Sequence, residues 1–345
     1  MVLKINFSSF FSKSILIFFI YSTAQAEQTY TLKFATLIPP DTAWVNSIHK
    51  WSDELKAKSN NRLQLRIYAG GIMGDEPDVL RKIRSRQLHG GFFTGYGIGR
   101  IYPPARVLEM PFLFQNTNES DYVRSQMMPD IEQGFRNKGF ELVGWPEVGF
   151  LHFFSKNPIN SLNDLRASRL WLWQGDPMGE ALASAADVSP VPLSIMDVYT
   201  QLSAQHGSID TVYNSPFGAL AMQWHTKLKY ATNVPMTNAI GGLLISHKFY
   251  KKLPPDLQIL LTESGKKISN EINLEARRDN KKSIELLKLS GITFGWDWSE
   301  HEQLKMLEIR NKAADTLNKS GYIPEKNFTQ VKKLLAQYKQ HSSPK

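Results

Sequence analysis

Two hydrophobic periods alternate along the first part of the chain, and this alternation constrains the fold more than any other feature. Residues 31–37 and 62–68 alternate between apolar and polar positions, which predicts two half-buried strands. Residues 44–55 and 76–88 carry apolar side chains at helical spacing, and residues 91–95 form a short apolar run typical of a buried strand. The order β-α-β-α-β predicts an α/β fold in which helices cross over between parallel strands.

The length predicts two lobes. A chain of 345 residues exceeds what one hydrophobic core usually serves, and two α/β lobes would enclose a cleft. No internal repeat or flexible linker separates them, so we expect the lobes to share crossing strands. The predicted organisation is a signal peptide (1–26), a first lobe (27–148, returning at 233–275) and a second lobe (149–232, returning at 276–345, with the bracing helix and the C-terminal helices).

Residues 255–289 carry an apolar stripe at helical spacing, and Gly291 is placed to end the helix. A single helix over this range would be about 50 Å long at 1.5 Å per residue, which is enough to brace both lobes. The alternative is two shorter helices with a break around residues 270–273. A later Ser299-x-x-Glu302 pattern predicts a capping box at the start of another helix.

The N-terminus has the pattern of an export signal. Lys4 and Lys13 precede an apolar block at 15–21, which is followed by A-Q-A ending at Ala26. The block is too short to span a bilayer, which needs about 20 apolar residues. We therefore predict a signal peptide cleaved near Ala26 and a periplasmic protein.

The sequence motifs of common enzymes and metal sites are absent. There is no Cys, and no two of the 8 His residues stand at H-x-x-x-H spacing, which argues against thiol chemistry and a zinc site. The glycine-rich residues 95–99 have Arg100 where a dinucleotide fingerprint needs its third glycine, so they are interpreted as a turn. Asp75 and Glu76 are interpreted as the acidic start of a helix.

Charge and chemistry together favour binding rather than catalysis. The net charge of +9 is spread along the chain, which does not indicate a nucleic-acid surface. We predict a non-enzyme with no cofactor and no metal that holds a small molecule in its cleft.

Short blocks spread over most of the chain occur in an order and spacing typical of one protein family. They are L-K-F-A-T at 32–36, P-P-D-T-A-W at 39–44, Gly74, L-E-M-P-F-L-F at 108–114, and N-P-I with L-N-D-L within 157–165. Together they resemble the DctP-type substrate-binding proteins of tripartite ATP-independent periplasmic (TRAP) transporters.

The resemblance implies a fold, a function and partners. It implies a type II periplasmic binding protein with two α/β lobes, crossing strands and a long bracing helix, which closes over a ligand and delivers it to a membrane permease. A monomer or weak dimer is expected. The alternative is a carrier of a lipid or other hydrophobic ligand on the same fold, working with a partner other than a permease.

The resemblance also implies two arginines that hold a ligand carboxylate, and the sequence has other residues at both positions. Trp171 stands at the first, or Leu172 if the alignment slides by one residue, and Leu151 followed by His152 stands at the second. A bare carboxylate among apolar groups is costly unless another donor meets it. We therefore expect an organic acid or other molecule that is larger or more apolar than a four-carbon dicarboxylate.

Trp171 and Trp173 share a strand face with Arg169, which predicts an aromatic wall with a basic residue at its edge. The alternative is that both tryptophans are lobe core. Asn214 matches a polar position of the family's D-G-x-E-N-P block, and Tyr213 stands where that block has Glu. Weaker candidates follow from position in the family, each with core packing as an equal alternative: Pro40, Trp44, Thr94 and Phe112.

Overall fold

The computed structural model describes residues 28–297 and 299–342. The predicted signal peptide therefore lies outside the described residues. Within the described ranges, every helix is too short or too polar to cross a bilayer.

The strands form one mixed sheet and one small parallel pair. The large sheet has the order β11-β9-β5-β10-β3-β1-β2, with β4 added to β10 and β8 added to β5, and β6 pairs only with β7. The strands are β1 (Tyr30–Ala35), β2 (Leu63–Tyr68), β3 (Gly90–Thr94), β4 (Phe140–Gly144), β5 (Glu147–Ser155), β6 (Trp171–Trp173), β7 (Val191–Leu193), β8 (Thr211–Asn214), β9 (Tyr230–Thr232), β10 (Thr237–Ser246) and β11 (Thr293–Gly295).

Helices cover the sheet and connect its strands. They are α1 (Ala43–Lys58), α2 (Glu76–Arg84), α3 (Gly95–Ile101), α4 (Thr117–Asn137), α5 (Leu162–Ala167), α6 (Pro177–Ala186), α7 (Ile195–Ser203), α8 (Pro216–Ala221), α9 (His247–Tyr250), α10 (Pro255–Leu289), α11 (Glu300–Lys319) and α12 (Glu325–Ser342), with 3₁₀ helices at Pro103–Glu109 and Trp224–Lys227. β1 pairs in parallel with both β2 and β3, which confirms the predicted α/β fold.

Two strands pass from one lobe into the other, as expected. The first part of β5 pairs with the first part of β10, from Glu147 opposite Ile240 to Leu151 opposite Thr237. Beyond this stretch β5 pairs with β8 and β9, while β10 pairs with β3 and β4. We call the side with β1 to β4 the first lobe and the side with β6 to β9 and β11 the second lobe.

The bracing helix is a single element. α10 runs without interruption for 35 residues, which confirms the long helix and rules out the break at 270–273. Its apolar stripe packs on the first lobe through Leu261 and Ile268, and Leu287 packs in the second lobe. Asn273 is a buried polar residue in this helix, and its Oδ1 accepts a hydrogen bond from the backbone N–H of Glu147 at 2.6 Å.

The predicted turn at residues 95–99 is wrong, because this segment is helix α3. Its glycines allow close packing rather than a turn: a Cβ on Gly95 would lie 1.8 Å from Glu109 Oε2, and one on Gly97 would lie 2.5 Å from Glu76 Oε2. The segment therefore fits tightly against two buried carboxyl groups.

The first of the two C-terminal helices, α11, begins as predicted. Ser299 and Glu302 form the capping box expected at the start of α11. Phe328 and Val331 of α12 join the same hydrophobic cluster as Val123 and Phe135 of α4. The last helix therefore packs on the first lobe, which departs from the predicted assignment of residues 276–345 to the second lobe.

Candidate ligand-binding site

A cavity of about 220 Å³ lies between the lobes, and its lining is almost entirely carbon. The first lobe supplies residues 36–39 after β1 and the start of α1, and the second lobe supplies β6, the end of β8 and α8. Eight of the predicted site residues line it: Trp44, Thr94, Phe112, Leu151, Trp171, Trp173, Tyr213 and Asn214.

Two predicted site residues lie outside the lining. Arg169 precedes β6 and turns outward, where its Nε donates to Asp210 Oδ2 at 3.0 Å and its Nη1 donates to Gly207 O at 2.7 Å. Its side chain is 53% exposed, so the expected basic edge of the aromatic wall is missing. Pro40 is exposed at the rim, while its neighbour Pro39 lines the cavity.

The aromatic wall is built around Trp171. Its ring stacks on Tyr213 with centroids 4.9 Å apart, and Trp173 lies 5.7 Å away and stacks on Tyr96 at 4.6 Å. Both tryptophans are buried and belong to a hydrophobic cluster as well as to the cavity wall. The two interpretations of these residues, wall and core, therefore describe the same arrangement.

Both indole N–H groups of this wall are already used by the protein. Trp171 Nε1 donates to Leu193 O at 3.1 Å, and Trp173 Nε1 donates to Asp75 Oδ2 at 3.0 Å. A ligand meets only the aromatic faces and edges of these two side chains.

Trp44 differs from them. Its ring stacks on Phe217 across the cleft with centroids 4.7 Å apart, and it is 3% exposed. Its Nε1–H is buried and has no hydrogen-bond partner in the protein. An orphaned buried donor costs about 1–3 kcal/mol, and a ligand acceptor would remove that cost.

Asn214 offers a second donor in the same cavity. Its Oδ1 accepts the backbone N–H of Ser215 at 2.8 Å, while its Nδ2 has a sulfur contact with Met222 at 3.9 Å. Sulfur is a weak acceptor. Nδ2 therefore remains able to donate a stronger hydrogen bond to a ligand.

One cation among the described residues lines the cavity, and the sequence analysis missed it. Arg106 donates to both carboxylate oxygens of Asp176, at 2.9 and 3.2 Å, and its Nε lies 2.5 Å from Glu109 Oε2. Burial opposes its charge, but Asp176 and Glu109 outweigh burial and raise the pKa of Arg106. Two carboxylates occupy this guanidinium, which is therefore unavailable to a ligand carboxylate.

Glu76 is a further buried acid at the cavity. It accepts hydrogen bonds from Thr94 N at 2.7 Å, Thr94 Oγ1 at 3.1 Å and Gly97 N at 2.5 Å. Burial raises the pKa of Glu76 to about 8, although these donors act in the opposite direction. Asp75 is the N-cap of α2, so the predicted acidic helix start is confirmed, but that interpretation did not predict the burial of Glu76.

Direct contacts between the lobes surround the cavity. Asp75 Oδ2 accepts from Ser194 Oγ at 2.6 Å as well as from Trp173, and Tyr96 OH donates to Gln174 O at 2.8 Å. With the Arg106 to Asp176 pair, these contacts hold the second lobe against the first. The structure therefore shows the cleft closed.

A family model described as "Bacterial extracellular solute-binding protein, family 7" matches residues 34–314. The chain belongs to this family. A DctP-type solute-binding protein is what the sequence resemblance implied, and the match confirms it.

Individual relatives agree with this assignment. A solute-binding protein of Sulfitobacter sp. (strain NAS-14.1) is 24% identical over 307 residues, which cover 85% of this chain and 88% of that protein. The sialic acid-binding periplasmic protein SiaP of Vibrio cholerae is 21% identical over 279 residues, which cover 79% and 84%.

The fold is shared with solved structures. A TRAP periplasmic solute binding protein from Desulfovibrio salexigens with bound orotic acid has a TM-score of 0.82 at 16% identity, covering 90% of this chain and 99% of that one. Trp171 and Leu151, which the sequence analysis placed at the two expected arginine positions, both line the cavity.

Proposed function

We propose that this solute-binding protein is a periplasmic receptor that closes over one small organic acid or more hydrophobic molecule and delivers it to the membrane permease of a TRAP transporter. The observation that carries the proposal is the enclosed cavity whose walls come from both lobes. Because ligand contacts on both lobes exist only when the lobes are closed, a bound ligand stabilises the closed form.

The lining supports a ligand with substantial apolar surface. SiaP of Vibrio cholerae is named for sialic acid and the Desulfovibrio salexigens protein holds orotic acid, so acids are the reference class. In this chain the cavity guanidinium of Arg106 is already held by two carboxylates. An acid would therefore be recognised through Trp44, Asn214 and the aromatic wall rather than through an arginine clamp.

The remaining parts of the proposal follow from the family. We include export by a signal peptide ending near Ala26, a non-catalytic role, and a monomer or weak dimer that meets the permease. The lobes are proposed to divide near residues 149 and 233, close to where β5 and β10 pair with each other. The family match favours this receptor over a lipid carrier with a non-permease partner.

Ligand binding to residues 27–345 tests the proposal. Native mass spectra of the purified protein, before and after addition of dicarboxylates, sugar acids, aromatic acids and fatty acids, should show selective uptake of acids with large apolar surface. Tryptophan fluorescence should change on the same additions. Trp171→Phe should reduce that change, whereas Trp51→Phe, which removes a buried indole of the first-lobe core, should preserve it.

Two outcomes would contradict the proposal, the first its apolar ligand class and the second the receptor function. Tight binding of succinate or malate would mean that a cation reaches the ligand despite the pairing of Arg106. Failure of every acid to bind, with no molecule carried through purification, would remove the receptor function itself.

A further inference from the structure

The cavity extends beyond the cleft into the second lobe. We call this extension the annex. Its walls come from α5, α6, α11 and β5, and they are apolar, as with Phe153, Leu162, Leu165, Ala183, Met306 and Ile309.

Small residues on α6 make room for the annex. Gly179, Ala183 and Ala186 line it on one face of the helix, since residues three and four apart share a face. Ser184 lies on another face, is exposed and is absent from the lining. Phe112 and Tyr213 pack against the annex cluster and also line the cavity.

Most annex residues belong to a single hydrophobic cluster, so the annex is a gap within a lobe core. Protein cores are normally packed with few voids, and unfilled apolar space lowers stability in proportion to its volume. An apolar void of this kind also stays dry, because water needs polar partners. An apolar group of a ligand would restore the missing contacts.

Two donors that lack a strong partner in the protein lie in the cleft and not among the annex residues. They are the orphaned Trp44 Nε1–H and the weakly paired Asn214 Nδ2, which are available to a ligand acceptor. The cavity thus has a donor end in the cleft and a hydrocarbon end in the second lobe.

We propose that the annex receives the hydrocarbon tail of an amphiphilic ligand whose hydrogen-bond-accepting head lies beside Trp44 and Asn214. This inference rests on the proposed function, because it names the class of ligand for the same cavity. An unbranched or aryl-substituted carboxylic acid is the simplest molecule of this class.

A chain-length series of n-alkanoic acids tests the inference. Calorimetric titration of residues 27–345 with butanoic, octanoic, dodecanoic and hexadecanoic acid, below their micelle concentrations, should show affinity rising by about fourfold per buried methylene until the annex is full. Ala183→Phe, which fills the annex, should abolish this rise. Ser184→Phe, on the exposed face of the same helix, should keep the rise.

A second variant protects the test against misfolding. If Ala183→Phe does not fold, as judged by its melting temperature, Leu165→Ala enlarges the annex and should move the best-binding acid to a longer chain. An affinity that is independent of chain length while short acids still bind would overturn the annex proposal and leave the receptor function standing. Equal losses in Ala183→Phe and Ser184→Phe would also overturn it.

Discussion

Single side chains in this cavity are distinguished by whether the protein already uses their polar atoms. Trp44 and Trp173 are both buried indoles at the cleft, but Trp173 donates to Asp75 while the N–H of Trp44 is unpartnered. Identical chemistry therefore has opposite consequences for stability. The sequence analysis predicted both tryptophans as site residues. It could not predict which indole N–H is paired, because the hydrogen-bond partner lies far along the chain.

Replacing each indole by phenyl measures that difference. We expect Trp44→Phe to leave the free energy of unfolding of the ligand-free protein unchanged or higher, because a buried orphan donor is removed. Trp173→Phe should lower it by about 1–3 kcal/mol, because Asp75 loses a donor. Urea denaturation of both variants gives the comparison, and a larger loss for Trp44→Phe would mean that its N–H has a partner in the free protein.

Glu76 makes stability depend on pH in a direction unusual for a carboxylic acid. Its pKa rises from 4.5 to about 8 on folding because of burial, so between these values the folded state binds more protons than the unfolded state. The free energy of unfolding therefore falls as pH rises from about 5 to 8. Glu76→Gln should flatten this decline in urea melts at several pH values, and Glu180→Gln, an exposed acid, should leave it unchanged.

At the level of elements, local sequence patterns predicted the helices and strands but not the reason for their polar residues. The apolar stripe of α10 and the alternation of β2 are local signals, and both elements were correctly predicted. Asn273 suggested a break in α10, and the glycines at 95–99 suggested a turn, because Asn and Gly disfavour helices in isolation. Tertiary contacts explain why both interpretations were wrong. Asn273 accepts a hydrogen bond from the crossing strand β5, and the glycines of α3 leave room for the carboxyl groups of Glu76 and Glu109.

The contact between the brace and the crossing strand can be tested directly. Asn273→Ala removes the acceptor of the buried Glu147 N–H and should lower the free energy of unfolding by about 1–3 kcal/mol. Asn270→Ala is its control, since Asn270 is exposed on the same helix and should change stability by less than about 0.5 kcal/mol. Equal values for the two variants would contradict the bracing role of Asn273.

For the whole molecule, the decisive interaction is a buried ion pair that joins the lobes. Nothing in the local sequence links Arg106 to Asp176, which are 70 positions apart. The Arg106-x-x-Glu109 spacing was the one available signal, since residues at i and i+3 of a helical turn are neighbours. The apolar character of the cavity was predictable from Trp171 and Leu151. The ion pair of Arg106 with Asp176 and the presence of the annex could be seen only in the three-dimensional structure.

Asp176→Asn should loosen the closed form without ligand. Removing one partner of a buried ion pair typically costs about 3 kcal/mol or more, and the loss here falls on a contact between lobes. We expect a lower free energy of unfolding and a larger radius of gyration by small-angle X-ray scattering. Asp78→Asn, which breaks an exposed pair with Arg81, should change stability by at most about 1 kcal/mol and leave the radius unchanged.

Gly149 lies where β5 pairs with β10, and its φ of +103° is open to few other residues. A Cβ there would lie 2.4 Å from Asn280 Nδ2 of the bracing helix. Gly149 and Asn280, which shape the backbone that joins the lobes, do not line the cavity, while Trp171 lines it from β6, outside the joining strands. The ligand specificity of such a receptor can therefore change during evolution through substitutions in the cavity wall, without any change in the residues that shape the backbone between the lobes.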